Sequence, residues 1–276
     1  MAVRYNDVLV LCAPHGSPSP ACLSYLQQLQ LHGALVQFSV CYADVGLTRC
    51  VQAAAAYQTL RNHPQVHWVF WLDWDMHAHI ESLEALIMVA VRMGFNDDPT
   101  MTPTLSGAYV NRHDIRNGST RLAAHSCKDC ETVDVDVPAI VRDDGTVAGG
   151  SAFSATVALC GMGCLLQSRD VFMLHCDESE HFCYPTEDYL VPLICQSYRI
   201  HASELAQYVA IDPNADRYYW QNEDFDYSVR ELDKGRPVYV VDIPWGHEFM
   251  SVTYPDAKTV FPGYLPPRVD NEPAAQ

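Results

Sequence analysis

Val66-His67-Trp68-Val69-Phe70-Trp71-Leu72-Asp73-Trp74-Asp75 decides the fold. The run from Val66 to Leu72 is β-branched and aromatic with almost no polar alternation, the pattern of a strand covered on both faces. It stops abruptly at two carboxylates one residue apart. Beyond it, Ile80, Leu83, Ile87 and Val91 recur at helical spacing, so a helix leaves the end of the strand.

Upstream, Val8-Leu9-Val10-Leu11 is a second apolar run, broken at Pro14-His15-Gly16. A helix is expected from about Pro20 to Leu31, a strand over Ala34 to Cys41, and an Ala-rich helix from Thr48 to Leu60 before the Asn62-His63-Pro64 stop. The order β-α-β-α-β-loop-α predicts an α/β fold with a mainly parallel central sheet flanked by helices. Ligands on such sheets bind at the carboxyl ends of the strands, where Asp73 and Asp75 stand.

Downstream the pattern loosens. Leu105 to Val110 reads as a strand, residues 111–155 as a polar, mobile excursion with a turn at Asp143-Asp144-Gly145, and Ser154 to Gln167 as one strand interrupted by Gly161 and Gly163. Residues 176–222 are irregular and rich in Tyr. Asp224 to Lys234 is helical, closed by Gly235, and Val238 to Ile243 is a last strand running into Trp245-Gly246-His247. One domain over residues 1–255 is expected, in two halves, 1–98 and 99–255, with a tail at 256–276.

Composition narrows the function. The chain has 276 residues, 49% hydrophobic and 18% charged, enough apolar content for a substantial core. Its formal net charge is −17, with the acid concentrated beyond residue 66. Such a balance offers no footprint for phosphate backbones, whereas a bound divalent cation would relieve part of the repulsion. No run approaches the roughly 18 to 20 apolar residues of a membrane span, and Met1 to Ser17 lacks a signal-peptide pattern. A cytoplasmic protein is therefore expected, in the host cytoplasm if the chain is viral. The 11 cysteines lie among apolar neighbours and read as free buried thiols. A structural zinc at Cys127 and Cys130 would require Cys160 and Cys164, or His125, to converge on them.

Asp73 and Asp75 repel one another unless something positive lies between or beyond them, which a hard cation such as Mn²⁺ or Mg²⁺ bound to phosphate oxygens would supply. An acidic turn capping the next helix is the alternative. Glu223 and Asp224 open a helix, where acids are favoured by the helix dipole whether or not they do chemistry.

The order of these features resembles the glycosyltransferases of the GT-A fold, particularly the family-2-like group, over most of residues 3–249. The pieces are Leu11 to His15 after the first strand, Thr48-Arg49 opening a helix, Asp73-Trp74-Asp75, Ser106-Gly107-Ala108-Tyr109, Gly161-Met162-Gly163 with Arg169 and Phe172, and Glu223-Asp224 followed by Gly235, a strand and His247. Trp in the middle of Asp-x-Asp, the segment 111–155 and a rival Glu187-Asp188 depart from the family pattern.

The resemblance implies metal-dependent transfer of a sugar from a nucleotide-sugar donor, a UDP-sugar first among them, to a hydroxyl acceptor. It implies Ala13, Pro14, His15, Arg49, Asp73, Trp74, Gly161 and Gly163 as donor-binding residues. It also implies Asp75 and His247 as metal ligands, with Asp73 at ribose or the metal, and Asp224, with Glu223 second, as the base. A phage-type enzyme acting on hydroxylated bases in DNA, a metal-dependent nucleotidyltransferase and a non-catalytic sugar-binding protein are the alternatives, since fold does not decide the acceptor.

Overall fold

The computed structural model describes residues 5–13, 18–38, 45–94, 98–109, 124–126, 131–141, 145, 147–177, 227–228, 231–232 and 234–247. In chain order the first elements are β1 (Val8–Ala13), α1 (Pro20–Leu31), β2 (Leu35–Phe38), α2 (Val45–Asn62), β3 (Trp68–Asp73), β4 (Met76–His77), α3 (Ile80–Gly94) and β5 (Thr104–Ala108). Then come β6 (Ala124–Ser126), β7 (Thr132–Val137), β8 (Ile140–Val141), β9 (Val147–Ala148), β10 (Ser151–Cys160), β11 (Cys164–Ser168), α4 (Arg169–Asp177), β12 (Val238–Pro244) and β13 (Gly246–His247). α1 begins where expected because Ser19 caps it, its hydroxyl accepting from the Cys22 amide at 3.1 Å, with proline in the first turn.

Nine strands form one sheet in the order β2-β1-β3-β11-β5-β12-β10-β6, with β7 also paired to β10. The sheet is mixed, which corrects the expectation of a mainly parallel one. β2, β1 and β3 are parallel, as are β5 and β12, but β11 is antiparallel to both β3 and β5, and β10 is antiparallel to β12, β6 and β7. The cause lies in the link Gly161-Met162-Gly163. It delivers the chain beside Asp73, at the carboxyl ends of β3 and β5, so β11 has to run back between them. The single interrupted strand expected over 154–167 is accordingly two strands at separate places in the sheet.

The described residues between 124 and 155 are mostly strand rather than a polar excursion. They contribute β6, β7 and the start of β10, and the hairpin of β8 and β9 brackets the expected turn at Gly145, where φ is +81°. β7, Thr-Val-Asp-Val-Asp-Val, buries Val135 and Val137 and exposes Asp134 and Asp136, so its high polarity is that of a one-sided strand.

Both faces of the N-terminal half are covered. Val8, Val10, Phe70 and Leu72 pack under α1 and α3, while Leu9, Leu11, Val69 and Trp71 pack under α2 and α4. That parity fixes the site: Asp73, two residues beyond Trp71, stays on the α2 face. On the other face the Trp245 indole lies against Gly107, seated 5.2 Å from the Phe70 ring and 5.7 Å from that of Tyr25. A methyl at residue 107 would fall inside the indole. Gly107→Ala should therefore cost about 3 kcal/mol through overpacking and lower Tm by on the order of 6–12 °C in thermal denaturation. An unchanged Tm would mean that the indole does not rest there.

The C-terminal helix is legible at its end. Residues 227, 228, 231 and 232 are helical, Gly235 has φ +73°, and the Arg236 amide donates to the Glu231 carbonyl at 2.8 Å. Cys12, Cys22, Cys160 and Cys164 are free and buried, as expected, while Cys127 and Cys130 lie outside the described residues. The Cys12 thiol is pushed far up by its hydrogen bond with Cys22 and by burial, and Cys164 by burial. Neither forms the thiolate that nucleophilic chemistry needs.

Candidate functional site

The carboxyl ends of β1, β3, β5 and β12 form one rim. Ala13 is in register with Asp73 across the parallel pair β1 and β3, and the Asp73 amide donates to the Gly163 carbonyl at 2.9 Å. The N-terminal end of α1 ties down the turn after β3. Ser19 donates its amide to the Trp74 carbonyl at 2.9 Å, and Cys22 Sγ lies 3.5 Å from the Asp73 carbonyl. Trp74 itself is half-buried against the core on the α1 side.

At the centre of the rim Arg49 Nη2 donates to Asp73 Oδ1 at 2.8 Å. Arg49 is almost fully buried, at 2% exposure, whereas Asp73 is 36% exposed, so the pair presents its carboxylate to solvent and keeps its cation inside. The guanidinium carbon also stands 5.8 Å from the centroid of the Trp71 ring, within cation–π reach. An arginine in the first turns of α2 can do this because α2 runs down from the rim and β3 ends beneath it.

Gly163 closes the other side. Its amide donates to the Tyr109 hydroxyl at 3.2 Å, and a Cβ there would stand 3.0 Å from that hydroxyl and 3.3 Å from Asp73 Oδ2. The glycine thus lets the β10–β11 link pass against the carboxylate. Gly163→Ala should leave Tm within a few degrees, because the contact is tight without being an overlap.

Asp75 is 2% exposed at the turn between β3 and β4. The small sheet of β4 and β13 pairs His77 with Gly246 and Met76 with His247, so the backbone of His247 lies beside the residue that follows Asp75. The His77 ring occupies the space where a side chain on Gly246 would be. This pairing brings together two sequence positions 172 apart that the resemblance assigns to one metal.

Asp73, Asp75, Trp74, Arg49, Ala13, Gly161 and Gly163 are thus on the rim or the elements leading to it. Pro14, His15, Glu223, Asp224, the rival Glu187-Asp188 and the His247 side chain lie outside what is described. Oxygen donors from Asp75 and Asp73 with an imidazole suit Mn²⁺ or Mg²⁺ by chemistry, although Asp73 Oδ1 is already engaged by Arg49. Among the described residues no group of three or more His, Cys, Asp or Glu could hold a metal ion.

Sequence reasoning passed over two participants. Tyr109 appeared only as the aromatic after a Ser-Gly strand, and Gln167 only as the last residue of a run. Neither has a local signal, because each matters through partners more than 50 residues away. Among the described residues no helix is long and apolar enough to cross a membrane.

No family model matches the chain, and no curated protein does. Among solved structures it is similar to A197 from STIV, at 12% identity and a TM-score of 0.42 over 88% of this chain and 85% of that one. It is similar to a glycosyltransferase involved in glycosylation of the major capsid of PBCV-1, at 9% identity and a TM-score of 0.33 over 84% and 92%. A nucleoside-diphosphate-sugar pyrophosphorylase from Vibrio cholerae RC9 is similar at 11% identity and a TM-score of 0.31 over 84% and 70%. These are likenesses of chain course at low overlap, and they assign no residue.

Proposed function

We propose that the protein is a divalent-metal-dependent glycosyltransferase that moves a sugar from a nucleotide-diphosphate donor to a hydroxyl acceptor. The observation that carries the reading is the rim itself. A buried Arg49 holds the half-exposed Asp73 against Gly163, and the pairing of β4 with β13 draws His247 toward Asp75. Asp73, its Oδ1 held by Arg49 and its Oδ2 beside Gly163, is then the group for ribose hydroxyls.

Asp75 with His247 would hold Mn²⁺ or Mg²⁺, which when bound neutralises charge on the departing nucleoside diphosphate. The chain's own residues bind and orient: Gly163 allows the close approach, Trp74 offers a ring face, and Asp224 takes the acceptor proton. The acceptor follows from none of these groups, and a hydroxylated base in DNA stays among the candidates.

The test is a panel of nucleotide sugars read by thermal shift with Mn²⁺, followed by donor hydrolysis with and without EDTA. A Mn²⁺-dependent rise in Tm with one donor, and release of the nucleoside diphosphate, is the expected result. Release of diphosphate instead would make the protein a nucleotidyltransferase, and binding without turnover a sugar-binding protein.

A further inference from the structure

Behind the rim runs an unbroken chain of buried side-chain hydrogen bonds. Trp71 Nε1 donates to Gln167 Oε1 at 2.7 Å, Gln167 Nε2 donates to the Tyr227 hydroxyl at 2.6 Å, and that hydroxyl lies 3.2 Å from Thr104 Oγ1. Trp71, Gln167, Tyr227 and Thr104 are all at most 3% exposed. The direction of the chain is fixed by chemistry. An indole N–H can only donate, so the carbonyl oxygen of Gln167 must face Trp71 and its amide must face Tyr227. Tyr227 is held neutral, its phenol pushed well up by burial, so it can accept from Gln167 and still donate to Thr104. The chain joins β3, β11, β5 and the C-terminal helix.

We infer that Gln167 is a positioning residue for the rim: bonded to Trp71 on one side and Tyr227 on the other, it fixes the indole whose face supports Arg49, and through Arg49 it orients Asp73. As a device of the nucleotide site this rests on the function proposed above. The indole has two rotatable bonds and lies in the layer beneath α2. Its N–H to Gln167 sets the ring plane, and the guanidinium 5.8 Å from the ring centroid is held against that plane while Nη2 reaches Asp73 Oδ1. Removing the Gln167 amide leaves the indole N–H buried without its acceptor, which favours rotation of the ring and slackens the support of Arg49.

Two measurements test it. In thermal melts of the full chain, Gln167→Leu and Arg49→Met should be non-additive, the double variant departing from the summed shifts by about 2 °C or more. Additive shifts overturn the inference whatever the protein binds. In calorimetry with UDP and Mn²⁺, Gln167→Leu should raise Kd by about tenfold. Leu29→Ala, which opens a cavity on the opposite face of the sheet, should lower Tm comparably and leave Kd within about twofold. Equal Kd changes in the two variants overturn the inference, since general loosening would then explain both. Should Gln167→Leu fail to fold, Tyr227→Phe removes one hydroxyl from the same chain and is read identically. If the wild type binds no nucleoside diphosphate while the melts are coupled, the proposed function falls and the positioning of Arg49 and Asp73 by Gln167 stands.

Discussion

Asp75→Asn is expected to lower nucleotide-sugar turnover by on the order of 10³-fold or more and to remove the rise in melting temperature produced by Mn²⁺. The substitution keeps the size of the side chain and exchanges a charged oxygen for an amide, so it separates charge from shape. Asp75 is 2% exposed in the turn that follows an apolar strand, so a cation bound there would act on its charge with little screening by water. If Asp75 served only to shape the turn between β3 and β4, the amide would serve nearly as well and activity would survive. Initial rates and thermal shifts with Mn²⁺, Mg²⁺ and EDTA decide it. Full activity of EDTA-treated wild type would remove the metal from the account altogether.

Asp224→Asn should leave nucleotide-sugar affinity within a few-fold and lower kcat by on the order of 10²-fold or more. The helix that contains Tyr227 and Ser228 is anchored from below. Tyr227 bonds Gln167, the Ser228 hydroxyl lies 3.4 Å from both the amide and the carbonyl of Cys160, and the buried Glu231 pairs with Arg236 at 3.0 Å. The sequence places Asp224 three residues before Tyr227 and predicts it in the first turn of that helix, a position where the dipole would favour a proton-accepting carboxylate. Asp188→Asn should do much less, because no glycine, strand and histidine follow it at a matching distance. Kinetics of both variants with one donor measure the difference. Loss of transfer in Asp188→Asn alone would move the base to the Glu187-Asp188 pair.

The sequence reading was strongest where a single element determines its own environment. Val66 to Leu72 had to be a buried strand because only His67 in it is suited to water, and β3 begins two residues later, at Trp68, because the Val66 and His67 amides bond outside the ladder, to His63 and Asp7. α1 was readable to the residue, having both a serine cap and a proline at its start. The Arg49–Asp73 contact could be suspected from order along the chain, but its geometry could not, since it depends on the even-odd parity of β3 beneath α2. The mixed direction of the sheet was invisible for a different reason. Strand pairing is set by where a link ends in space, and Gly161-Met162-Gly163 carries no signal that it returns to Asp73. In β7 the alternation Thr-Val-Asp-Val-Asp-Val was present, but the surrounding acid and glycine hid it. The Trp71, Gln167 and Tyr227 chain joins residues 60 and more apart, and no local spacing can announce such a partnership.

The slot that β12 fills also sets the order in which the protein can be made. β12 lies between β5 and β10, yet it is synthesised after both, its Val240 meeting Ser106 on one side and Thr156 on the other. A nascent chain that has grown only as far as α4 already contains β1, β2, β3 and β11 with their covering helices, so that half can condense on the ribosome before the rest of the chain emerges. The other half has two finished strands with open hydrogen-bonding edges and no partner to separate them. Those edges remain sticky until more than sixty further residues have emerged, an interval of several seconds at ordinary elongation rates of about 5–20 residues per second. Slow closure of this last slot is the step at which a folding chaperone would raise the yield of active protein, and at which overproduction without one would divert the chain to aggregates.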